Sequence, residues 1–456
     1  MDIRRIRIVE WDSIFAGGAL VVVLITAIGT LGDFGVQILL AQSVSVAWYG
    51  DYSIAYAVLI LGGIVAILGA DRTCMRFLPG YIERGDTAHV AGFCLLFVAL
   101  SIVVSLLIVA GFAIVHYALD DRGVSFFDTR KGHPVLLSVW LIPFYAVYRL
   151  APGVLSAAHR PVGATITTRF GVPLVTAAAV LLIPFAGFKI TPEAMLAAFA
   201  LSFLLVSIAV VMLLPRDVPV WCRDKSYRSK LWLGVSLPIM IGAFVWKLNG
   251  YSGMIMLEVL GKDEAQVGLF TAATAAGALV MIPMTALTAT ILPRLGAIAQ
   301  GEENYAARQA LYGQATRQLT FFTVVVALPI LLLPEQVLGL FGSDYQAVGG
   351  LLIVIAVTFM ITGSIGIAAP FLQFCGYEKL ILYVTIGSTL LDVVLCTFLV
   401  PRFEAYGAAS SFLVRGLIAD GIAVYALWRF HGLVPFVSKA PGWLVPVRAS
   451  APDGPE

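Results

Sequence analysis

Of the 456 residues in this chain, 60% are hydrophobic and only 12% charged, and the mean hydropathy is +0.95. Such a composition excludes a water-soluble globular domain as the main architecture. The formal net charge of +2 says little about partners by its size, and no nucleic-acid partner is expected; what carries information is where the charges lie.

In chain order, Met1 to Glu10 carries Arg4, Arg5 and Arg7 ahead of an apolar run from Ile14 to Leu40. That run exceeds the core of a secretory signal and predicts a retained first span. Hydropathy punctuated by Gly, Pro and charge predicts further helices over 52–70, 89–116, 134–157, 162–185 and 193–214. A second set follows over 231–258, 266–292, 316–340, 346–373, 379–400 and 406–428. Each stretch is apolar for about 20 residues, enough for an α-helix to cross a ~30 Å hydrocarbon layer. The expectation is an all-α polytopic membrane protein of about twelve transmembrane helices, arranged as two lobes of about six related by a pseudo-twofold axis along the membrane normal.

The segment 215–230, with Arg216, Arg223, Lys225, Arg228 and Lys230, reads as a basic linker between an N-terminal lobe (1–214) and a C-terminal lobe (231–430). It is a solvated orienting loop with anionic lipid headgroups as a secondary contact. The tail 431–456, rich in Pro and Ala toward its end, reads as disordered. With the N-terminus in the cytoplasm, most basic residues fall on that side, Arg72, Arg76, Arg149 and Arg160 among them. The opposite side receives Arg122, Arg130, Lys131, Lys189, Lys262 and Arg402. The positive-inside rule then predicts both termini in the cytoplasm of a bacterial inner membrane. Cys74, Cys94, Cys222, Cys375 and Cys396 form no CxxC pair and have no His at ligand spacing, so neither a disulfide framework nor a metal site is expected.

The chain repeats itself weakly. Leu155 to Pro184 aligns without gaps on Leu372 to Pro401, each opening with a polar break and closing on an aliphatic run that ends in Pro. Tyr49-Gly50-Asp51-Tyr52 aligns on Val267-Gly268-Leu269-Phe270, and Arg84-Gly85-Asp86 on Gln300-Gly301-Glu302, at nearly the same offset. Duplication of this kind is common in transporters and puts a substrate cavity between the lobes.

Gly69-Ala70-Asp71-Arg72-Thr73-Cys74-Met75-Arg76-Phe77-Leu78-Pro79, continuing through Tyr81-Ile82 to Arg84-Gly85-Asp86, resembles the loop after helix 2 in Wzx-like polysaccharide flippases of the MOP superfamily. The Tyr-Gly-x-Tyr at 49–52, the Leu292-Pro293 step and the Leu372-Gln373-x-x-Gly376 break are similar too. The resemblance implies a two-lobe fold of twelve to fourteen helices that moves a lipid-linked (polyprenyl-pyrophosphate) oligosaccharide across the inner membrane for exopolysaccharide or lipopolysaccharide biosynthesis. Membrane lipids, a polysaccharide polymerase and glycosyltransferases are the further partners it implies. Acidic Asp33 in helix 1 departs from that pattern.

Asp33, Arg169, Lys247, Asp392, Arg415 and Asp420 fall inside the predicted spans. Ionisable residues there cost about 2.5–3.5 kcal/mol each on insertion scales and persist where they pair or face water. Lys247 and Arg415 are expected near the midplane as cations for a pyrophosphate or acidic sugar, with Arg169 meeting an entering headgroup. Trp246, Asn249 and Tyr251 are candidates for stacking on and hydrogen bonding to sugars, or alternatively interfacial packing groups. Asp33, Asp392 and Asp420 are candidates for ion coupling, by H⁺ or Na⁺, or for gating. Internal pairs, Asp392 with Arg415 or Asp33 with Lys247, stand as the alternative reading of these charges. No cofactor is expected.

No GxxxxGK[ST], HExxH or GxSxG occurs, so neither a nucleotide motor nor a familiar hydrolase is encoded. A membrane-embedded glycan-handling enzyme would carry a large extracytoplasmic loop, and the only candidate, Asp120 to His133, is short. Within transporters, the loop from Gly69 to Arg76 resembles that of major facilitator proteins but lacks the second Gly. A MATE-type ion-coupled multidrug exporter shares the expected fold and would use Asp33. A basic midplane favours the anionic glycan.

Overall fold

The computed structural model describes residues 18–120, 134–158, 160–187, 190–214, 224–299 and 305–437. The predicted loop 120–133 beyond Asp120, most of the basic linker, the first residues with Arg4, Arg5 and Arg7, and the tail beyond Val437 lie outside the described residues. Those that are described form helices and connecting turns, with no strand among them.

The first half consists of α1 (Gly18–Ser43), α2 (Val46–Ala66), α3 (Ala70–Glu83), α4 (Thr87–Asp120), α5 (Pro134–Trp140), α6 (Ile142–Ala157), α7 (Pro161–Phe185) and α8 (Pro192–Leu213). The second half consists of α9 (Ser229–Leu260), α10 (Ala265–Gly277), α11 (Ile282–Ala299), α12 (Tyr305–Leu332), α13 (Pro334–Gly339), α14 (Gly349–Ile365), α15 (Ala368–Phe374) and α16 (Glu378–His431). Nine helical segments among the described residues are long and apolar enough to cross a membrane, and helix forms most of the described part of every stretch predicted to span. The surface confirms the solvent: Phe185 is 89% exposed, Met212 79% and Ile114 68%, as side chains facing lipid must be.

Several boundaries moved for identifiable reasons. Helix α12 begins at Tyr305 rather than 316, because its first turns (YAARQALYGQ) are helix-forming but polar, and hydropathy sees only apolar runs. The predicted span 134–157 is broken at Leu141, just before Pro143. The predicted 266–292 is interrupted by a 3₁₀ turn at Ala278–Met281. The two last predicted spans are, as expected, two helical arms within Glu378–His431, separated by a sharp kink at Glu404, a non-glycine residue at φ 49°. The Glu404 carboxylate accepts from Lys262 N (3.2 and 3.3 Å), tying that bend to the α9–α10 turn.

Between α2 and α3 the chain turns sharply through Leu68 (φ 54°) and Gly69 (φ 75°). A Cβ on Gly69 would lie 2.9 Å from Met240 N, so only glycine lets α9 pass here. The short helix α3 then ends at Arg84-Gly85-Asp86, and Asp86 caps α4. Its carboxylate accepts from His89 N (3.2 Å) and lies 2.7 Å from His89 Nδ1. The side-chain bond with His89 holds the Asp86 carboxyl below its usual range.

Besides the Gly69 contact near the start of α9, where Trp232 is also buried among first-half residues, the lobes meet again beyond its far end. The first turn of α2 crosses α10 backbone to backbone: a Cβ on Gly50 would lie 2.9 Å from Gly268 N. These two glycines are the ones paired by the internal repeat, and residues related by a twofold axis can touch each other only near that axis. Around the crossing, Gln42 Nε2 donates to Leu340 O (2.7 Å), and Phe34 and Tyr49 pack edge-on against Phe341 and Tyr345 at 5.6 and 6.2 Å. An apolar cluster from both halves, Leu40, Tyr49, Ile54, Leu257, Val267 and Phe270 among them, closes this end.

Candidate functional site

Two helices of the first half present tyrosines at helical spacing on a single face: Tyr52 and Tyr56 on α2, Tyr145 and Tyr148 on α6. Phe199 and Phe203 of α8 lie between them. Tyr52 and Tyr56 each stack on Phe199 at 5.8 Å, and Tyr148 stacks on Phe203 at 5.1 Å. Trp48 extends the row by stacking on Tyr52 at 5.9 Å. The result is a continuous aromatic wall running from the closed end into the first lobe.

Charges gather beside that wall. Arg149 follows Tyr148 on α6, and its Nη2 donates to Asp71 Oδ2 of α3 at 3.0 Å, while 40% of its side chain stays exposed. Helix α3 reaches α6 because Gly153 lets it approach: a Cβ there would lie 2.7 Å from Asp71 O. Arg169 of α7 lays its stem on α1 at Gly29, where a Cβ would lie 2.7 Å from Arg169 Cβ. One turn on from Gly29, Asp33 is within electrostatic reach of Arg169, and Tyr148 is within reach of Arg149, Arg169 and Asp33. From the second half, α9 contributes Lys247, whose Nζ lies 5.4 Å from the Trp246 ring and 5.6 Å from the Tyr251 ring. The charges of Arg149 and Arg169 both act on Lys247. Three cations and two acids from five helices thus gather beside the aromatic wall, leaving an excess of positive charge there.

Of the residues singled out from the sequence, the structure brings Asp33, Arg169, Lys247 and Tyr251 together here. Trp246 flanks them and is 62% exposed. The charge of Arg169 bears on Asp33.

Arg415, Asn249 and Asp392 lie elsewhere, in a network sealed between α9 and the two arms of α16. Arg415 is 4% exposed and Asp392 1%. Arg415 Nε lies 3.9 Å from Asp392 Oδ1, and its Nη1 donates to both Asn249 O and Asn249 Oδ1. Asn249 Nδ2 donates to Thr389 Oγ1 (2.8 Å) and Ser388 Oγ (3.2 Å). Asp392 is further held by Ser252 Oγ and by Ser411 Oγ (2.5 Å). The guanidinium also sits over the Phe412 ring at 4.7 Å. Asp420 accepts from Thr362 Oγ1 (2.7 Å), one helix away.

Sequence reasoning missed Arg149, Asp71 and the four wall tyrosines. Arg149 falls toward the cytoplasmic end of a predicted span, where a basic residue reads as an orienting charge; the signal that could have found it is the Tyr-x-x-Tyr-Arg run at 145–149, which places all three on adjoining faces.

The geometry defines a two-lobe, all-helical membrane fold with a basic, tyrosine-walled face where its halves adjoin. No protein-family model matches the sequence, and no curated protein matches it in sequence. Solved structures do match in fold. An inward-facing multidrug resistance MATE family transporter of the MOP superfamily superposes with a TM-score of 0.71 at 17% identity, covering 88% of this chain and 96% of the other. The lipid II flippase MurJ in an inward closed conformation gives 0.66 at 14% identity, covering 90% and 87%. A MOP superfamily transporter from Pyrococcus furiosus, described as having a binding pocket of reversed polarity, gives 0.61 at 18% identity, covering 91% and 97%.

Proposed function

We propose that this protein is a secondary transporter of the flippase type that moves a polyprenyl-pyrophosphate-linked oligosaccharide across the bacterial inner membrane by alternating access, in the service of surface polysaccharide synthesis. The observation that carries this reading is the gathering of Arg149, Arg169 and Lys247 beside the aromatic wall, with Arg149 on Asp71, Arg169 on α1 at Gly29 and Lys247 over Tyr251. A pyrophosphate drawn out of water needs fixed cations, and two guanidinium groups can grip its oxygens bidentately while Lys247 acts as a point charge. The MurJ likeness supports it, since that fold carries a lipid II flippase. The lobes correspond to 1–214 and 231–430 joined by the basic linker 215–230, with both termini cytoplasmic by the positive-inside rule. In that orientation the Gly50–Gly268 crossing closes the outer face. A polymerase and glycosyltransferases would supply and consume the substrate.

We assign ion coupling, by H⁺ or Na⁺, to Asp33 rather than to Asp392. The Asp392 carboxylate already has a resident cation and two hydroxyls, whereas Asp33 stands in the interlobe cluster where its charge bears on Arg169.

Asp33 and the MATE likeness also favour a second reading, an ion-coupled exporter of cationic drugs. Binding in lipid nanodiscs separates the two. The glycan reading expects the protein to bind an undecaprenyl-pyrophosphate-linked oligosaccharide, with Lys247→Ala weakening it about 10- to 100-fold, the worth of one charge-assisted hydrogen bond. Binding of ethidium that requires Asp33, with none of the lipid-linked glycan, would overturn it.

A further inference from the structure

Buried tyrosine hydroxyls ordinarily find a protein partner, and elsewhere in this molecule several do. Tyr49 donates to Gln37 Oε1 (2.8 Å), Tyr305 donates to Gly432 O (3.0 Å), and Tyr81 accepts from Trp232 Nε1 (3.2 Å). Tyr312 and Tyr345, by contrast, have hydroxyls sealed from solvent without a partner. Tyr52, Tyr56, Tyr145, Tyr148 and Tyr251 belong to neither group. None of their hydroxyls bonds to a described residue, and none is among the sealed atoms. Their rings are nonetheless deeply set: Tyr145 is 7% exposed and Tyr148 6%.

The five come from three helices and face each other across the lobe boundary. Tyr251 of α9 lies within electrostatic reach of Tyr52, Tyr56 and Tyr145. Both Tyr52 and Tyr251 pack against the cluster that closes the lobes and the one that fills the first lobe. Ring faces are spent on neighbours, since Tyr52 stacks on Tyr56 at 6.2 Å and on Phe199 at 5.8 Å. What remains for a ligand is a row of hydroxyls, each both donor and acceptor. A rigid array of such groups complements a polyhydroxylated molecule, not an acyl chain or an aromatic cation.

We propose that Tyr52, Tyr56, Tyr145, Tyr148 and Tyr251 form a saccharide subsite, distinct from the cation cluster, that binds the first sugars of the lipid-linked substrate through their hydroxyl groups. This inference rests on the glycan reading above and adds a register to it. The pyrophosphate sits at Arg149, Arg169 and Lys247, and the glycan runs along the tyrosines toward the Gly50–Gly268 crossing. The cations read the carrier; the tyrosines read the sugar.

The test compares two probes in nanodiscs: undecaprenyl pyrophosphate, and the same lipid carrying a disaccharide. The native protein is expected to prefer the glycosylated lipid. In the Tyr52→Phe, Tyr56→Phe, Tyr148→Phe triple variant, which keeps every ring and its packing, that preference falls by about tenfold while bare-lipid binding is unchanged. Lys247→Ala weakens both probes alike. A thermal melt matching the native protein verifies that the triple variant is folded, and Tyr56→Phe alone, whose ring stacks on Phe199 and not on a cation, provides a second variant with the same expectation at smaller size. Equal affinity of the native protein for the two lipids, or an undiminished preference in the Phe variants, overturns the saccharide subsite and leaves the anion reading standing. Failure of the native protein to bind either lipid overturns both.

Discussion

The two lobes each carry an arginine beside an aspartate, and they use the pair in opposite ways. In the first, Arg149 and Asp71 meet at 3.0 Å with the arginine side chain 40% exposed. In the second, Arg415 and Asp392 approach at 3.9 Å with exposures of 5% and 1%. A half-buried pair that keeps part of its arginine open contributes less to folding than a sealed one and remains available to a ligand. A sealed pair is committed, because removing either partner leaves an uncompensated charge in a medium that cannot solvate it. Pairing alone therefore does not identify a binding residue; what the rest of the side chain can reach does.

The largest effect should come from breaking the sealed network. Arg415→Ala should cost about 3–5 kcal/mol and remove most folded protein, seen as loss of the monodisperse peak and a lower melting temperature in detergent. Replacing the pair together, as Asp392→Leu with Arg415→Met, should restore part of that loss, since an apolar pair of similar volume carries no desolvation penalty. A stable, folded Arg415→Ala protein would erase the contrast between the lobes.

Lys247→Ala should do the reverse, weakening anionic substrate as stated above while shifting stability by no more than about 0.5 kcal/mol, the usual range for a half-exposed position. A matching collapse in melting temperature would make Lys247 a structural residue like Arg415.

Third in size is the crossing that joins the lobes. Gly50→Val places its side chain against the Gly268 backbone and Val267, so the closed end should be held apart. A cysteine at Ala272, a fully buried position on α10, should then react several-fold faster with a membrane-impermeant maleimide added from that side. Unchanged labelling would show that the crossing is not what keeps this end shut.

The smallest effect lies outside the membrane. Because His89 holds the Asp86 carboxyl below its ordinary range, the ionised form stabilises the fold. That contribution is present above the unfolded-state pKa and is lost as pH falls through the folded one. Asp86→Asn should lower the melting temperature slightly at neutral pH, and the difference from the native protein should vanish toward pH 3.

Much of this was legible in the residue string. Period, length and punctuation located the helices, since a segment crossing lipid must be apolar for its whole length and must satisfy its own backbone. The repeat between 49–52 and 267–270 paired two glycines that prove to touch. The polar first turns of α12 were not legible, because hydropathy is blind to a helix that dips out of the membrane to hold the segment after α16. There Gln309 Nε2 donates to Val434 O (2.9 Å) and its Oε1 accepts from Val434 N (2.9 Å).

The sequence by itself determined that this chain lives in lipid, folds as duplicated helical halves, and keeps charges where lipid forbids them unless they are compensated. Only the tertiary structure decided which charges keep company. Asn249 and Lys247 are two residues apart on α9, and that spacing turns one into the sealed network and the other toward Arg149 and Arg169, because positions two apart point to different faces of a helix. Burial, and with it the choice between holding the fold and holding a ligand, is set by the neighbours each face meets.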